Sequence, residues 1–488
     1  MQSWTNQTVT PASQTTQPDD MPAVRQPILF YEEETNIIKR YGGWPYEGTS
    51  MPSEAWYFDI GGTSVNWRNG TSPADNGLSA NSHGPFASAS AYTNSTFYNF
   101  GGNVFKPNAL PNMTVLSGLV TQDYASRIWS NNTADIPNQS KYRTQARAVH
   151  VPNFGGEGFI MVVGGESPPT EASFYETGTA MTDMSVITLY DIESGNWYTQ
   201  KATGEIPPPR SEFCAVGSAT GDGQYFDLFV YGGSTNTTFD LNNADDEGYL
   251  NVYALSLPAF QWFKSPSTTT VRRACHTCSV IGNRQMVSIG GRLPSSLQDL
   301  GVEQDPWPNG IGVFDMTEFA WVDHYDAAAE VYDSPDLVKQ YYASSYQEPA
   351  WSDPTLASIF AYTVTSSTNS TSSGGSSSSD SSGSDSDSSD NTGAIVGGVV
   401  GGVALIVILL GVWYWLRRRR RPAHTIPDEK DQKFQPVPHE DLVEAGSRPP
   451  CFEADSNLRS ELDGLGTKPQ TIAELPANDE RENHPRQL

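Results

Sequence analysis

Residues 159–165 read FIMVVGG, an apolar run that ends in the paired glycines Gly164 and Gly165. The phrase returns four more times, as IIKRYGG, FYNFGG, DLFVYGG and QMVSIGG, whose glycines are Gly42, Gly43, Gly101, Gly102, Gly232, Gly233, Gly290 and Gly291. Successive pairs are 59, 63, 68 and 58 residues apart. A phrase that recurs at so steady a period indicates a repeat architecture.

Each glycine pair is followed, 25 to 33 residues later, by a tryptophan: Trp67, Trp129, Trp197, Trp262 and Trp321. Short apolar segments precede both the pair and the tryptophan, so each unit supplies four short strands in one order. The glycines permit positive φ and close approach, and the tryptophan can pack against them or the next sheet. Because one four-stranded sheet cannot bury both faces, we expect five such sheets around a common axis.

These glycine pairs and tryptophans resemble the kelch motif. The resemblance implies an all-β fold, a kelch-type β-propeller over residues 21–330, related in architecture to the galactose oxidase central domain. Kelch units run at about 50 residues, so these units carry inserted loops. Residues 331–362 are expected to form a C-terminal extension of the propeller.

The apolar stretch 394–416 predicts a membrane-spanning helix, because its 23 residues carry no charge. Five arginines, 417–421, follow at once and favour a cytoplasmic C-terminal side. All eight N-glycosylation sequons precede this stretch, which supports an outside N-terminal part. They are Asn6, Asn69, Asn94, Asn112, Asn131, Asn138, Asn236 and Asn369.

Residues 363–392 are rich in Ser, Thr and Asp, which predicts either a flexible linker or an O-glycosylated stalk. Residues 417–488 are charged and proline-rich, typical of a disordered cytoplasmic tail that could carry docking peptides. Propeller, stalk, span and tail together resemble filamentous-fungal kelch-repeat single-pass membrane proteins. Gly393, Gly397 and Gly401 are four residues apart, a spacing that would allow two such spans to form a homodimer.

The first residues contain SWTNQT, which parallels IWSNNT around Trp129. No signal-peptide pattern precedes the propeller in residues 1–20. We therefore expect these residues to be the end of a truncated blade, with a signal peptide and three strands encoded upstream. The full-length protein would then have six or seven blades.

The net charge of −27 arises almost wholly before the predicted span and argues against nucleic acid as a ligand. Metal chemistry like that of galactose oxidase would require two histidines and a tyrosine ligand to converge, together with a Tyr–Cys crosslink. The candidates His83, His150, His276 and His324 fall at different places in the repeat, which disfavours it. No catalytic residue, cofactor or metal ligand is therefore predicted.

The segment ACHTCSV contains a C-x-x-C pair, Cys275 and Cys278. A zinc site would require two further ligands, and a redox motif would require a βαβ context. The pattern supplies neither. A local disulfide, a bridge from Cys214 to Cys275 or Cys278 between adjacent blades, and buried free thiols remain open.

Two further groups of charged residues have ordinary explanations. The acidic cluster 240–247 lacks an EF-hand pattern and is typical of a solvated loop. Arg210, Arg272 and Arg273 precede predicted first strands, where we expect ion-paired structural roles or, less often, a position facing a ligand in the channel.

Three functions remain at this stage. The first is a cell-surface binder of a protein or cell-wall glycan through the extracellular propeller. The second is a membrane-tethered carbohydrate-active or oxidase enzyme. The third is a sensor whose tail recruits cytoplasmic partners.

Overall fold

The computed structural model describes residues 4–5, 18–45, 56–59, 67–70, 84–105, 113–171, 179–234, 247–292 and 305–361. The predicted stalk, span and tail, residues 240–246 of the acidic cluster, and Gly393, Gly397 and Gly401 lie outside these residues. Within them, no helix has the length and hydrophobicity needed to cross a membrane.

The described residues form five blades, here called blades 1 to 5, each of four antiparallel strands, and the sheet of blade 4 has a fifth, parallel strand at its outer edge. This confirms the predicted all-β propeller. Blade 1 comprises Ile28–Glu32, Ile37–Tyr41, Trp56–Asp59 and Trp67–Asn69. Blade 2 comprises Ala89–Tyr92, Thr96–Phe100, Gly118–Asp123 and Trp129–Thr133. Blade 3 comprises Arg147–Val151, Phe159–Val163, Val186–Asp191 and Trp197–Lys201.

Blade 4 comprises Cys214–Ala219, Phe226–Tyr231, Asn251–Leu257 and Gln261–Thr268. Blade 5 comprises Thr277–Ile281, Gln285–Ile289, Ile311–Asp315 and Ala320–Val322. The first strands of consecutive blades contact one another from blade 1 through blade 5. Each tryptophan of the motif lies on a fourth strand, as the sequence predicts.

Shorter strands accompany the blades: Val24–Arg25 with Trp44–Pro45, Asn103–Phe105 with Met113–Val115, Glu166–Ser167 with Ala180–Met181, and Thr203–Gly204 beside blade 4. Two helices follow blade 5, α1 (Asp336–Ser344) and α2 (Pro354–Ile359). Single 3-10 turns occur at Glu247–Tyr249 and Pro308–Gly310. Trp4–Thr5 forms a strand that pairs with His324–Tyr325, directly after blade 5.

The motif tryptophan packs on the preceding blade, at the residue just before that blade's glycine pair. Ring centroids are 4.6 Å apart for Trp129 and Tyr41, 5.1 Å for Trp197 and Phe100, and 4.8 Å for Trp321 and Tyr231. Such tilted or edge-on contacts are favourable for aromatic pairs. Each of these three tryptophans therefore joins two sheets.

Glycine is required at these junctions because the next blade's backbone occupies the place of a side chain. Gly101 has φ +64, and a Cβ on it would lie 2.1 Å from the carbonyl oxygen of Arg143 in blade 3. The N–H of Gly102 donates to the same oxygen at 2.7 Å. Gly165 and Gly233 donate in the same way to the carbonyls of Arg210 and Arg273.

The outer flank of blade 5 differs from every other junction. Ile289 is 45% exposed, whereas its equivalents Tyr41, Phe100, Val163 and Tyr231 are at most 4% exposed. No described atom lies within 4 Å of a Cβ placed on Gly290. Among the described residues, blade 5 thus presents a half of the repeating junction that nothing covers.

Antiparallel pairing gives the propeller two distinct faces. The glycine pairs and the connections between second and third strands lie on one, which we call the glycine face. The turns between first and second strands, and between third and fourth strands, lie on the other, the hairpin face. The turns on the hairpin face are short, so the long insertions of the repeat belong to the glycine face.

The C-terminal extension packs against the hairpin face of blades 3 to 5. Tyr332 and Ser334 donate hydrogen bonds to the buried carboxylate of Asp227, where the second strand of blade 4 begins. Phe360, after α2, packs on Phe154 of blade 3 and on Phe260 of blade 4. The extension is therefore part of the propeller's core.

Candidate functional site

The first strands of all five blades line a central channel with a volume of about 770 Å³. A cavity of this size lies within the range of ligand sites in proteins. Its wall mixes apolar side chains with hydroxyl, disulfide, imidazole and charged groups. The channel is therefore the place where chemistry could concentrate.

A residue with positive φ stands before each first strand, at the glycine-face mouth of the channel. These residues are Gln26, Ala87, Gln145, Glu212 and Cys275, with φ between 52° and 59°. A left-handed backbone is costly for a residue with a Cβ. Hydrogen bonds between neighbours help to stabilise it, since the N–H of Gln145 donates to Ala87 at 2.6 Å and that of Cys275 to Glu212 at 2.8 Å.

Sequence reasoning missed this ring, because the five residues share no chemical type. One signal existed beside it: an arginine stands two positions earlier in blades 3, 4 and 5, as Arg143, Arg210 and Arg273. Only Arg210 and Arg273 were singled out from the sequence.

The three arginines are structural. Arg143 and Arg210 are at most 1% exposed. They donate to the carbonyls of Gly164 at 3.0 Å and Gly232 at 3.1 Å, the first glycines of their own blades. Burial lowers the pKa of Arg143 to about 10, so it stays charged at neutral pH.

Arg273 and Arg272 complete this group at blade 5. Arg273 donates to the carbonyl of Gly290 and forms an ion pair with Asp305. Arg272 lies over the ring of Tyr249, with 5.5 Å between the guanidinium carbon and the ring centroid. Their partners are therefore groups of the protein itself.

Two charged side chains belong to the channel mouth itself. Glu212 forms an ion pair with Arg292 at 2.9 Å. Arg147 lies over the ring of Phe213, 5.9 Å from its centroid, and burial lowers its pKa to about 10. Arg147 thus remains a cation at neutral pH within the channel wall.

Cys214 and Cys278 are joined by a disulfide across the junction of blades 4 and 5, with their Cα atoms 5.5 Å apart. They lie on the first strands of adjacent blades, one register position apart: Cys214 pairs with Tyr231, directly before its glycine pair, and Thr277 holds that place in blade 5. The repeats alone would align Cys214 with Cys278. Cys275 lies at the mouth of the channel, in the ring of positive-φ residues. Of the pairings left open by the sequence, the structure contains the one between blades.

His276 lies beside this disulfide and is 3% exposed. Neither of its ring nitrogens has a hydrogen-bond partner among the described residues. One of its nitrogens and the two sulfurs of Cys214 and Cys278 lie within 4.8 Å of one another, the one group of potential metal ligands in the described ranges. Burial, with help from Arg147 and Arg273, holds the pKa of His276 well below its usual value.

The other histidines do not join this group. His150 lines the channel on the first strand of blade 3 and is half-buried. His324 is exposed and contacts Asp323 at 2.9 Å. His83 lies outside the described residues. The two histidines that a galactose-oxidase-like copper centre needs are therefore not brought together among the described residues.

Four of the eight sequon asparagines are described, and all four are solvent-exposed: Asn69, Asn94, Asn131 and Asn138. Asn6, Asn112, Asn236 and Asn369 lie outside the described residues. The exposed asparagines are accessible to glycan attachment.

No protein-family model matches the chain. A kelch repeat-containing protein from Arthroderma benhamiae is 28% identical over 334 residues, which cover 60% of this chain and 45% of that protein. The host cell factor of Drosophila melanogaster is 24% identical over 149 residues, 29% of this chain and 9% of that protein. The chain thus spans less than half the length of each relative. The repeats, the five blades and these similarities together support a kelch-type β-propeller.

Proposed function

We propose that this chain is a binding protein whose propeller captures a partner protein on its glycine face. The observation that carries the proposal is the asymmetry of the two faces. The C-terminal extension covers the hairpin face of blades 3 to 5, through contacts such as those of Tyr332 with Asp227 and of Phe360 with Phe260. The long connections all leave from the opposite face, and such loops commonly carry binding residues.

The similarity to kelch-repeat proteins supports protein binding as the general role. For the finer assignment, we propose display at the cell surface. The span at 394–416, the stalk at 363–392 and the exposed sequons support it. A cell-wall glycan is the second ligand class to be tested, and cytoplasmic partners of the tail would make the protein a sensor.

The enzymatic alternative has weaker support. The described metal-ligand group contains one histidine, His276, beside two disulfide-bonded cysteines. A copper-radical oxidase needs a different set of ligands. Binding therefore explains the described residues better than oxidase chemistry does.

The test uses the full chain displayed on cells and probed with surface proteins and cell-wall glycans. Ile206, 41% exposed, lies in the connection between blades 3 and 4, which leaves one blade and enters the next at the glycine-face end. Val331, 66% exposed, lies on the hairpin side, where its Cγ2 is the heavy atom nearest to a Cβ placed on Gly221, at 3.8 Å. Ile206→Asp should weaken capture of a partner, and Val331→Asp is the matched control.

Equal loss of binding with both variants would contradict a glycine-face site. Binding that is confined to glycans would replace the partner protein by the second ligand class.

A further inference from the structure

We propose that Cys214, His276 and Cys278 form a redox-gated zinc site in the channel wall: a disulfide when oxidised, a Zn²⁺ ligand set when reduced. This inference does not depend on the proposed binding function. The C-x-x-C segment alone does not predict it, because the third ligand comes from the preceding blade.

Geometry is the first support. The three potential ligand atoms lie within 4.8 Å of one another. A tetrahedral zinc ion with Zn–S bonds near 2.3 Å holds two sulfur ligands about 3.8 Å apart. Reduction separates two bonded sulfurs to such a distance by side-chain rotation, while the paired strands stay in place.

The state of His276 is the second support. The residue is 3% exposed, and both of its ring nitrogens lack a hydrogen-bond partner in the described part of the chain. An unpaired buried polar group costs about 1–3 kcal/mol. A metal ion bound at one nitrogen would satisfy that atom and give the buried imidazole a function.

The charges around His276 determine which redox state binds. Arg147 and Arg273 disfavour a further uncompensated positive charge in this part of the channel wall. A disulfide adds no negative charge, whereas two thiolates supply two and offset the nearby guanidiniums.

The chemistry balances with a dithiol as reductant. One thiolate of the dithiol attacks a sulfur of the Cys214–Cys278 bond, which releases the other cysteine and forms a mixed disulfide. The second thiol of the dithiol resolves this intermediate, which leaves two cysteine thiols and an oxidised dithiol. Zn²⁺ then displaces two thiol protons to solvent.

The channel supplies access and the fourth ligand. Cys214, His276 and Cys278 all line it. Three protein ligands leave one tetrahedral position, which a water molecule from the channel would fill. The site would thus be an open Cys₂His site and not a closed structural one.

The test uses the full chain in a Cys451→Ser background, reduced with dithiothreitol and desalted without oxygen, with Co²⁺ as the probe. We expect one equivalent of Co²⁺ to produce a thiolate-to-cobalt charge-transfer band, and one equivalent of Zn²⁺ to bleach it. The oxidised chain should show no band. His276→Asn should weaken Co²⁺ binding by at least 10-fold, on the order of the effects known for altered metal sites.

His150→Gln, at another channel histidine, is the matched control and should bind Co²⁺ like the parent. The His276→Asn variant keeps both disulfide cysteines, whereas Cys214→Ser loses the disulfide. The circular dichroism spectrum of oxidised His276→Asn therefore shows whether a variant that lacks only the histidine ligand is folded. Absence of the band in the reduced parent would overturn the proposal. A band that persists in Cys214→Ser would also overturn it, because Cys275 and Cys278 would then be the ligands.

Discussion

Replacing Trp262 and Trp67 by alanine compares a complete blade junction with an incomplete one. Trp262 is 0% exposed, and its indole N–H donates across the junction to the carbonyl of Met184 at 3.0 Å. Alanine at such a position costs about 3–5 kcal/mol in lost burial and a cavity. The Met184 carbonyl, left without its donor, adds roughly 1 kcal/mol, so the free energy of unfolding should fall by about 4–6 kcal/mol in total.

Trp67 holds the equivalent place on blade 1, but it is partly exposed and its described ring contact is with Phe58 of its own blade, at 5.0 Å. Its replacement should cost only about 1–2 kcal/mol, since less apolar area is lost. Urea titration of the full chain with its disulfide intact, followed by far-UV circular dichroism, measures both values. Equal costs for the two variants would refute the view that these tryptophans act by packing on the preceding blade.

Three further predictions concern stability. Replacing Cys214 and Cys278 together by serine removes a cross-link between residues 64 apart and should cost about 4 kcal/mol by loop entropy, which urea titration will measure. Burial raises the pKa of Asp227. Above pH 4 or so, the folded state therefore retains a proton that the unfolded state releases. The free energy of unfolding should fall as the pH rises from about 4 until the pH passes the folded-state pKa of Asp227. Asp227→Asn should flatten that part of a plot of Tm against pH, and an unchanged slope would assign the dependence elsewhere. Lys39 is 1% exposed and lies 2.7 Å from Glu32, so Glu32→Gln leaves a buried cation without that counter-charge. The substitution should cost about 3–5 kcal/mol in the same urea titration. A loss below about 1 kcal/mol would contradict this prediction.

The strands of the propeller could be predicted because their signals are local. The glycine pairs of blades 1 to 4 mark places where the next blade leaves no room for a Cβ, as Gly101 does against Arg143. The direction in which the tryptophans pack could not be predicted, because strand order alone does not distinguish the next sheet from the preceding one. The structure places Trp129 on Tyr41 of the preceding blade.

The candidate metal group was beyond local reasoning for a different reason. His276 and Cys278 are neighbours in sequence, but Cys214 is 64 residues from Cys278 and meets it only because consecutive blades align. The C-terminal extension carries no repeat, so nothing in its sequence predicts that Tyr332 and Ser334 would bind Asp227. Such contacts depend on the assembled fold.

Within the described residues, blade 5 has one uncovered flank, so the propeller they form should behave as a linear array of units with ends. In such an array, the stability of each unit is the sum of its intrinsic stability and the free energy of its contacts with its neighbours. A unit with only one covered flank therefore opens first. The exposure of Ile289 marks blade 5 as such an end. The disulfide crosses the junction between blade 4 and blade 5, so it should reduce the local unfolding of blade 5. In native-state hydrogen exchange, reduction should therefore accelerate the amides of blade 5 before those of blade 3.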